Sequence, residues 1–421
     1  MLQGKASGRL GRRSVLKAGA AVGALGAVQV TSPFIVKALG EVPIKFGFED
    51  PLTGAYSIIA LSEVQGARYA VEQINKQGGI MGRELVLYVA DSANDVGTGV
   101  EKEREFIDKY HCNMTFGDVN SGIAYAVSQV ATEAGVVHIV PGGHTDPITG
   151  KDCAWNVFRI CNTTSMDANA VSSILLKKFG KRWFFITPDY AYGHTLQAAF
   201  IKNVEKAGGT YEAVQLPLNA SDYTSTLIKA KAYKPDVLLN NMGGLAQVDC
   251  MKQFVEFDMY KDMALGGALF EIEDVLSVPA AAQTGWWDME WWWNQPGVPH
   301  VKEFMNDIVK RYHKPASARV WFGYVAMWSG KLAIEKAKSL KAIDIAKALE
   351  GMELPPEVAL QPGKVFYRAG DHELMPNIFP GEVHPAAKGG SPYDIFTVAA
   401  LVPGESVWPL ADTGCHMTYP S

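Results

Sequence analysis

Long apolar runs are missing from this chain of 421 residues. The one mild candidate, Ala18 to Val30, is interrupted by Gly19, Gly23 and Gly26 and reaches about half the length a membrane-spanning helix needs, which argues against a permanent anchor. The motifs of several chemistries are missing too. No G-x-G-x-x-G follows a strand-like segment and no G-x-x-x-x-G-K-[ST] occurs, so no nucleotide cradle is expected. The nine histidines are scattered, with no pair at i, i+4, and there is no Cys-x-x-Cys, so no zinc site is expected. A serine hydrolase would carry a G-x-S-x-G elbow, which is lacking. These gaps point away from an enzyme and from any cofactor. Cysteine is scarce, and an odd count of five leaves at least one thiol unpaired.

Acidic residues are missing from the first 40 positions, which hold six basic ones: Lys5, Arg9, Arg12, Arg13, Lys17 and Lys37. That asymmetry is the anatomy of a targeting segment and not of a folded element. Gly11-Arg12-Arg13-Ser14-Val15-Leu16-Lys17 resembles the twin-arginine export signal; a chance Arg pair in an ordinary secretory leader is the alternative. The small residues of Ala38-Leu39-Gly40 suit a cut after Gly40. Taking these six from the 39 basic residues leaves 33 against 44 acidic ones, a surface poorly suited to nucleic acid or anionic membrane. An exported chain can oxidise its cysteines. Cys153 and Cys161, flanking a short loop, are the candidate disulfide pair, with buried free thiols as the alternative.

What is present is an alternation of short apolar runs and helical patterns. Strands are expected at Ile44–Phe48, Leu85–Ala90, Met114–Gly117, Val136–Val140, Arg182–Thr187 and Val237–Asn241, with amphipathic helices between them; Val64, Ala67, Val71 and Ile74 form one stripe. The series restarts after Asn162. The pattern predicts an α/β protein of two doubly wound lobes, each a parallel sheet with helices on both faces. Ligands of such sheets sit beyond the carboxyl ends of the strands, so function is expected in the loops 49–56, 118–122, 141–145, 188–192 and 242–246.

Several of these loops carry a specific pattern: Lys45-Phe46-Gly47-Phe48, Asp50-Pro51-Leu52-Thr53-Gly54, Gly66-Ala67, Ile74-Asn75, Gly78-Gly79-Ile80-Met81-Gly82-Arg83, then Pro141-Gly142-Gly143, Asp189-Tyr190-Ala191-Tyr192-Gly193, Gly243-Gly244 and Val320-Trp321. Together they resemble the type I periplasmic binding proteins for branched-chain amino acids and amides, the solute receptors of ABC importers. The resemblance implies a Venus-flytrap of two lobes joined by three crossovers, at about Asn162, Trp287 and Gln361. On that basis residues 41–162 with 288–361 form the first lobe, and 163–287 with 362–421 the second. It implies a ligand carboxylate held by Ser121, by the Gly142 backbone and by His144 or Thr145, where the family has a Thr. Tyr192 would cover the ligand, Ile59 occupies a position that is usually aromatic, and Leu245 belongs to the expected ligand set.

Two departures bear on the ligand. The acid that pairs with an amino acid's ammonium in the family should stand near Gly267-Ala268, yet Glu271 and Glu273 come slightly later. Arg319 replaces an apolar aromatic. Both favour an organic acid over a neutral amino acid. The tryptophans of Trp286-Trp287-Asp288-Met289-Glu290-Trp291-Trp292-Trp293 either stack on an aromatic ligand or pack the core. The expected function is a monomeric, extracytoplasmic solute-binding protein that feeds a small carboxylate, amino acid or amide to an ABC permease. A sensor of the same fold and a periplasmic enzyme are the rivals.

Overall fold

The structure, a computed structural model, describes residues 42–420. The expected leader with Arg12 and Arg13 lies outside the described residues.

The chain opens with β1 (Ile44–Asp50), α1 (Ser57–Lys76), β2 (Leu85–Asp91), α2 (Val96–Arg104), β3 (Met114–Phe116), α3 (Ser121–Ala134), β4 (Val137–Val140) and β5 (Val157–Arg159). These strands pair in parallel in the order β2-β1-β3-β4-β5. A second series follows: α4 (Thr164–Lys178), β6 (Arg182–Pro188), α5 (Ala191–Lys206), β7 (Thr210–Leu216), α6 (Thr224–Tyr233), β8 (Val237–Asn240), α7 (Gly244–Glu256), β9 (Ala264–Leu269), α8 (Ile272–Leu276) and β10 (Trp286–Met289). Its parallel strands run β10-β9-β8-β6-β7. Renumbered from its own first strand, this is again 2-1-3-4-5, so the restart seen in the sequence is a repeat of topology. The run Trp183-Phe184-Phe185-Ile186 is apolar throughout because β6 is covered on both faces: Trp183 and Phe185 enter one core, Phe184 and Ile186 the other.

After β10 the chain returns to the first sheet as α9 (Val301–Tyr312), α10 (Ala318–Ala337) and α11 (Ala342–Leu349). Helix α10 is buried along most of its length and crosses α1 where two glycines meet. A Cβ on Gly66 would lie 1.9 Å from the Val320 carbonyl oxygen, and one on Gly323 would lie 1.8 Å from that of Glu63. A hairpin of β11 (Phe366–Tyr367) and β12 (Leu374–Met375) precedes β13 (Asn377–Val383) and β14 (Phe396–Val398), which extend the second sheet antiparallel to β10.

The connections between lobes are knotted at Glu290. Its Oε1 accepts from the Asn162 backbone N–H at 2.5 Å, its carbonyl accepts from Gln361 Nε2 at 3.1 Å, and Gln361 in turn accepts from Asn377 N–H at 2.8 Å. Three stretches of chain that pass between the sheets are thus tied to the carboxylate and the carbonyl of one residue.

Two expectations need correction. The disulfide joins Cys153 to Cys415, 262 residues apart, while Cys161 is a buried free thiol. Cys161 follows β5 into the interior, so its side chain packs in the first core and never meets Cys153. Nor does 362–421 belong wholly to the second lobe. Val365, Tyr367 and Leu374 pack in the first core, and the tail returns to it through Cys415 and through Tyr419, whose hydroxyl donates to Glu350. The chain therefore makes a fourth passage between lobes, after β14.

Candidate functional site

Both sheets aim the carboxyl ends of their strands at one cleft. At the switch point of the first sheet, β1 leads to Tyr56 and Ile59 and β3 leads to Val119; at that of the second, β6 leads to Tyr190 and Tyr192, and β8 to Met242, Gly243 and Gly244. His144, Gln247, Leu269, Glu271 and Arg319 complete the lining. The enclosed volume is about 30 Å³, room for one water, where an organic ligand needs several hundred. Larger hollows of about 380 and 390 Å³ exist, but each is lined by the first lobe alone.

The cleft is held shut by its own side chains. Tyr56 and Tyr190 share a hydrogen bond between hydroxyls at 2.7 Å, and Tyr56, Ile59, Ala60 and Val119 form an apolar seam with Tyr190 and Leu218. At its charged end Arg319, only 3% exposed, donates from Nε to Glu271 Oε1 at 2.5 Å and from Nη1 to Glu63 Oε1 at 2.8 Å and the Gly142 carbonyl at 3.3 Å. Two acids share one base. Burial pushes Glu271 up to about 7 and Glu63 up to about 8, with Arg319 pulling both down. Burial also works against the Arg319 charge, but Glu271, Glu63 and Glu290 more than offset it, so the guanidinium stays protonated.

Arg319 is thus not the free cation that the sequence suggested. Nor is the cleft without an acid, for the segment after β9 carries Glu271 into it. Gly142 has a steric role, since a Cβ there would lie 2.3 Å from Glu63 Oε1 and 2.5 Å from Arg319 Nη1. Ser121 sits at the start of α3, but Asn120 is the residue that caps the helix, accepting from Gly122 and Ile123 N–H. The Ser121 hydroxyl oxygen instead accepts from the backbone N–H groups of His144 (3.1 Å) and Thr145 (3.3 Å), which occupies the donors expected to hold a carboxylate. His144 Nε2 donates to Glu290 Oε2 at 2.8 Å, and burial holds this imidazole below its usual range although Glu290 opposes it. Thr145 turns toward α5 and meets Thr195 Oγ1 at 3.3 Å.

Of the sequence-selected residues, Ile59, His144, Tyr192 and Arg319 line the cavity. Ser121, Gly142 and Thr145 stand behind it and set its loops. Leu245 does not belong, because the first turn of α7 points it outward, 50% exposed. The tryptophans are packing residues: Trp287 and Trp292 are in the second-lobe core and Trp291 is in the first, where its Nε1 donates to the Leu360 carbonyl. Sequence reasoning missed the roles of Glu63, Tyr190 and Glu290. Glu63 lies 256 positions from Arg319, and its one local signal is a charged residue beside the apolar stripe of α1.

The family model described as periplasmic binding protein matches residues 43–390. A Leu/Ile/Val-binding protein of Rhizobium johnstonii is 29% identical over 339 residues, 78% of this chain and 88% of that one. Leu/Ile/Val-binding protein homolog 8 of Brucella abortus is 25% identical over 362 residues, 82% of this chain and 87% of that one. Among solved structures, a periplasmic binding protein from Burkholderia mallei superposes with a TM-score of 0.81 at 26% identity, covering 87% of this chain and 96% of that one.

Proposed function

Because this chain belongs to the periplasmic binding protein family, a family of solute receptors for ABC importers, we propose that it traps a small zwitterionic amino acid between its lobes and presents it to a membrane permease. The observation that carries this reading is the Arg319–Glu271 pair, which offers a cation and an anion side by side at one end of a cavity lined by both lobes. An α-amino acid is complementary to such a pair: its ammonium takes Glu271, and its carboxylate takes Arg319 Nη2, which has no partner among the described residues. Its apolar body meets Ile59, Val119, Met242 and Leu269, with the tyrosines closing over it. The volume of the shut cleft requires the lobes to part for entry. Closure follows because both lobes contribute contacts that only the closed form makes. The names of the two relatives point to the same ligand class, and Glu271 removes the reason for favouring a simple organic acid.

The receptor acts as a monomer and returns its ligand unchanged. Residues 1–40 act as its export signal, removed after translocation. Replacing Arg12 and Arg13 by Lys strands precursor inside the cell if the twin-arginine route is used; mature protein outside at normal yield would assign an ordinary secretory route.

The ligand class is tested by thermal-shift screening of amino acids, amides and aromatic acids, followed by calorimetry of the hits. An amino acid with a branched apolar side chain is expected to bind most tightly and to be recovered intact. An organic acid that outcompetes every amino acid would refute the reading, and consumption of the ligand would reveal an enzyme.

A further inference from the structure

The loop that follows β4 carries His144 into the cleft wall, and it has no helix or strand of its own before the turn at Asp146–Ile148. Its backbone is held by other parts of the chain. The N–H groups of His144 and Thr145 donate to the Ser121 hydroxyl oxygen, and the His144 carbonyl accepts from the Thr164 N–H at 2.9 Å. The carbonyls of the residues on either side of His144 are taken by one atom: Arg159 Nη1 donates to that of Thr145 at 2.6 Å and to that of Gly143 at 3.3 Å. Both peptide units that flank His144 are thus anchored through their N–H and their C=O, which fixes where its side chain points. Arg159 is completely buried at the end of β5, and its other donors are engaged inside the protein. Nε donates to Glu373 Oε2 at 2.7 Å, and Nη2 donates to the Thr149 hydroxyl, which in turn donates to the same Glu373 oxygen at 2.5 Å. Glu373 comes from the hairpin of β11 and β12, 214 positions further on, whose Tyr367 and Leu374 are rooted in the first core. Apart from the Thr164 contact, this assembly lies within the first lobe and does not depend on how the lobes are set against each other.

We infer that Arg159, held by Glu373, is a positioning residue of the solute site: it fixes the loop 142–145 and so aims His144 into the cleft, although it lines no part of the cleft itself. A lysine could neutralise Glu373, but it could not hold that acid, a hydroxyl and two carbonyls at once, as the planar fork of arginine does. A loop already in its binding shape does not have to be ordered when the solute arrives, so loss of the anchor weakens binding beyond what it costs in stability. The hairpin after the third crossover is then part of the binding machinery, because it supplies the acid without which the guanidinium would be buried unpaired. The positioning clause concerns the loop alone; the affinity clause rests on the amino-acid reading above.

The test compares Arg159→Lys with Arg368→Lys in the otherwise intact protein, freed of bound solute by unfolding, dialysis and refolding with its disulfide kept. Arg368 is a buried arginine of the same hairpin as Glu373; it pairs with Asp371 and the Trp408 carbonyl and makes no hydrogen bond to the loop. With the histidine rings isotopically labelled, the His144 resonance, identified by its loss in His144→Asn, is expected to move in Arg159→Lys and to stay in Arg368→Lys, while both variants lower the melting temperature. By calorimetry, leucine is expected to bind at least about tenfold more weakly to Arg159→Lys and to change by less than about twofold in Arg368→Lys. Glu373→Gln, which keeps an acceptor oxygen for Arg159 but removes the charge, serves as the second variant should Arg159→Lys refold poorly; it is expected to move the His144 resonance in the same direction by less. A His144 resonance unmoved in Arg159→Lys, or moved equally in Arg368→Lys, overturns the positioning role, the latter because it reports a general loosening. A moved resonance with unchanged leucine affinity overturns the affinity clause. If the resonance moves in Arg159→Lys alone and leucine does not bind even the wild type, the ligand reading falls and the positioning role stands.

Discussion

The two lobes repeat one strand order but contribute to the cleft in opposite ways. The first brings its polar groups on braced elements: Arg319 on a helix rooted in the core, Glu63 on the helix packed against it, and the loop after β4 pinned by Ser121. Three further devices stiffen this lobe, namely the α1–α10 crossing through Gly66 and Gly323, the buried pair of Arg159 with Glu373 at 2.7 Å, and the disulfide that returns the tail to it. The second lobe brings loops and helix starts: Tyr190, Met242 to Gly244, and Glu271 at the N-cap of a five-residue helix. Its glycines lie under Tyr56, where a Cβ on Gly243 would approach the ring at 3.2 Å. One lobe is built as the anvil and the other as the closing jaw, so damage to the first should appear in stability and damage to the second in closure.

The largest expected effect is at the shared charge. Arg319→Ala leaves two buried carboxylates without their base and should cost about 3–5 kcal/mol of folding stability, measured by denaturant titration; a loss below about 1 kcal/mol would mean that the first lobe is not braced by this ion group. Next comes the disulfide. Cys415→Ser frees the tail and should cost about 2–4 kcal/mol, whereas Cys161→Ala should leave the Cys153–Cys415 bridge intact in peptide mass mapping. A bridge involving Cys161 would contradict the assignment.

The glycines sharpen the contrast directly. Gly66→Ala forces α1 and α10 apart and should cost about 1–3 kcal/mol. Gly243→Ala should change stability by no more than about 0.5 kcal/mol, yet wedge the cleft and weaken ligand binding, because Tyr56 has to yield by a few tenths of an ångström. Equal destabilisation by both would erase the distinction between lobes. A further effect is that of pH. Burial raises the folded-state pKa of Glu271 to about 7 and of Glu63 to about 8, above the ordinary carboxylate value of the unfolded chain. The stability these groups contribute is therefore complete only below the ordinary carboxylate pKa of 4.5, is lost progressively as pH rises toward about 7 to 8, and is level above that, so the melting temperature should fall between about pH 4.5 and pH 8. Asp118 and Glu373, both raised to about 7 by burial, add to the fall. Calorimetry should show a shallower decline in Glu63→Gln; an unchanged slope would place the titration elsewhere.

Much of the fold was legible because its information is local. Strand periods, helix stripes and the apolar run at Trp183 report burial through neighbouring residues, and the six expected strands fall within two residues of those found. The site was legible by loop and only partly by residue. Tyr192, His144 and Ile59 line the cleft, while Leu245 shares a loop with lining residues and points the other way, because the first turn of a helix sends successive side chains in different directions. The tryptophan run could be read as stacking wall or core; the burial of Trp287, Trp291 and Trp292 made it core.

The sequence by itself determined the repeated α/β plan, the cleft at the strand ends and the class of protein, since hydrophobic period and loop chemistry are written over spans of a few residues. Only the tertiary structure decided which charges meet. Arg319 finds Glu63 and Glu271 across separations of 256 and 48 residues, and Cys153 finds Cys415 across 262. Such pairings depend on how two sheets and their crossing helices place side chains within a few ångströms of each other. Hydrogen-bonded ion pairs and disulfides form only at such distances, and no spacing along the chain encodes them.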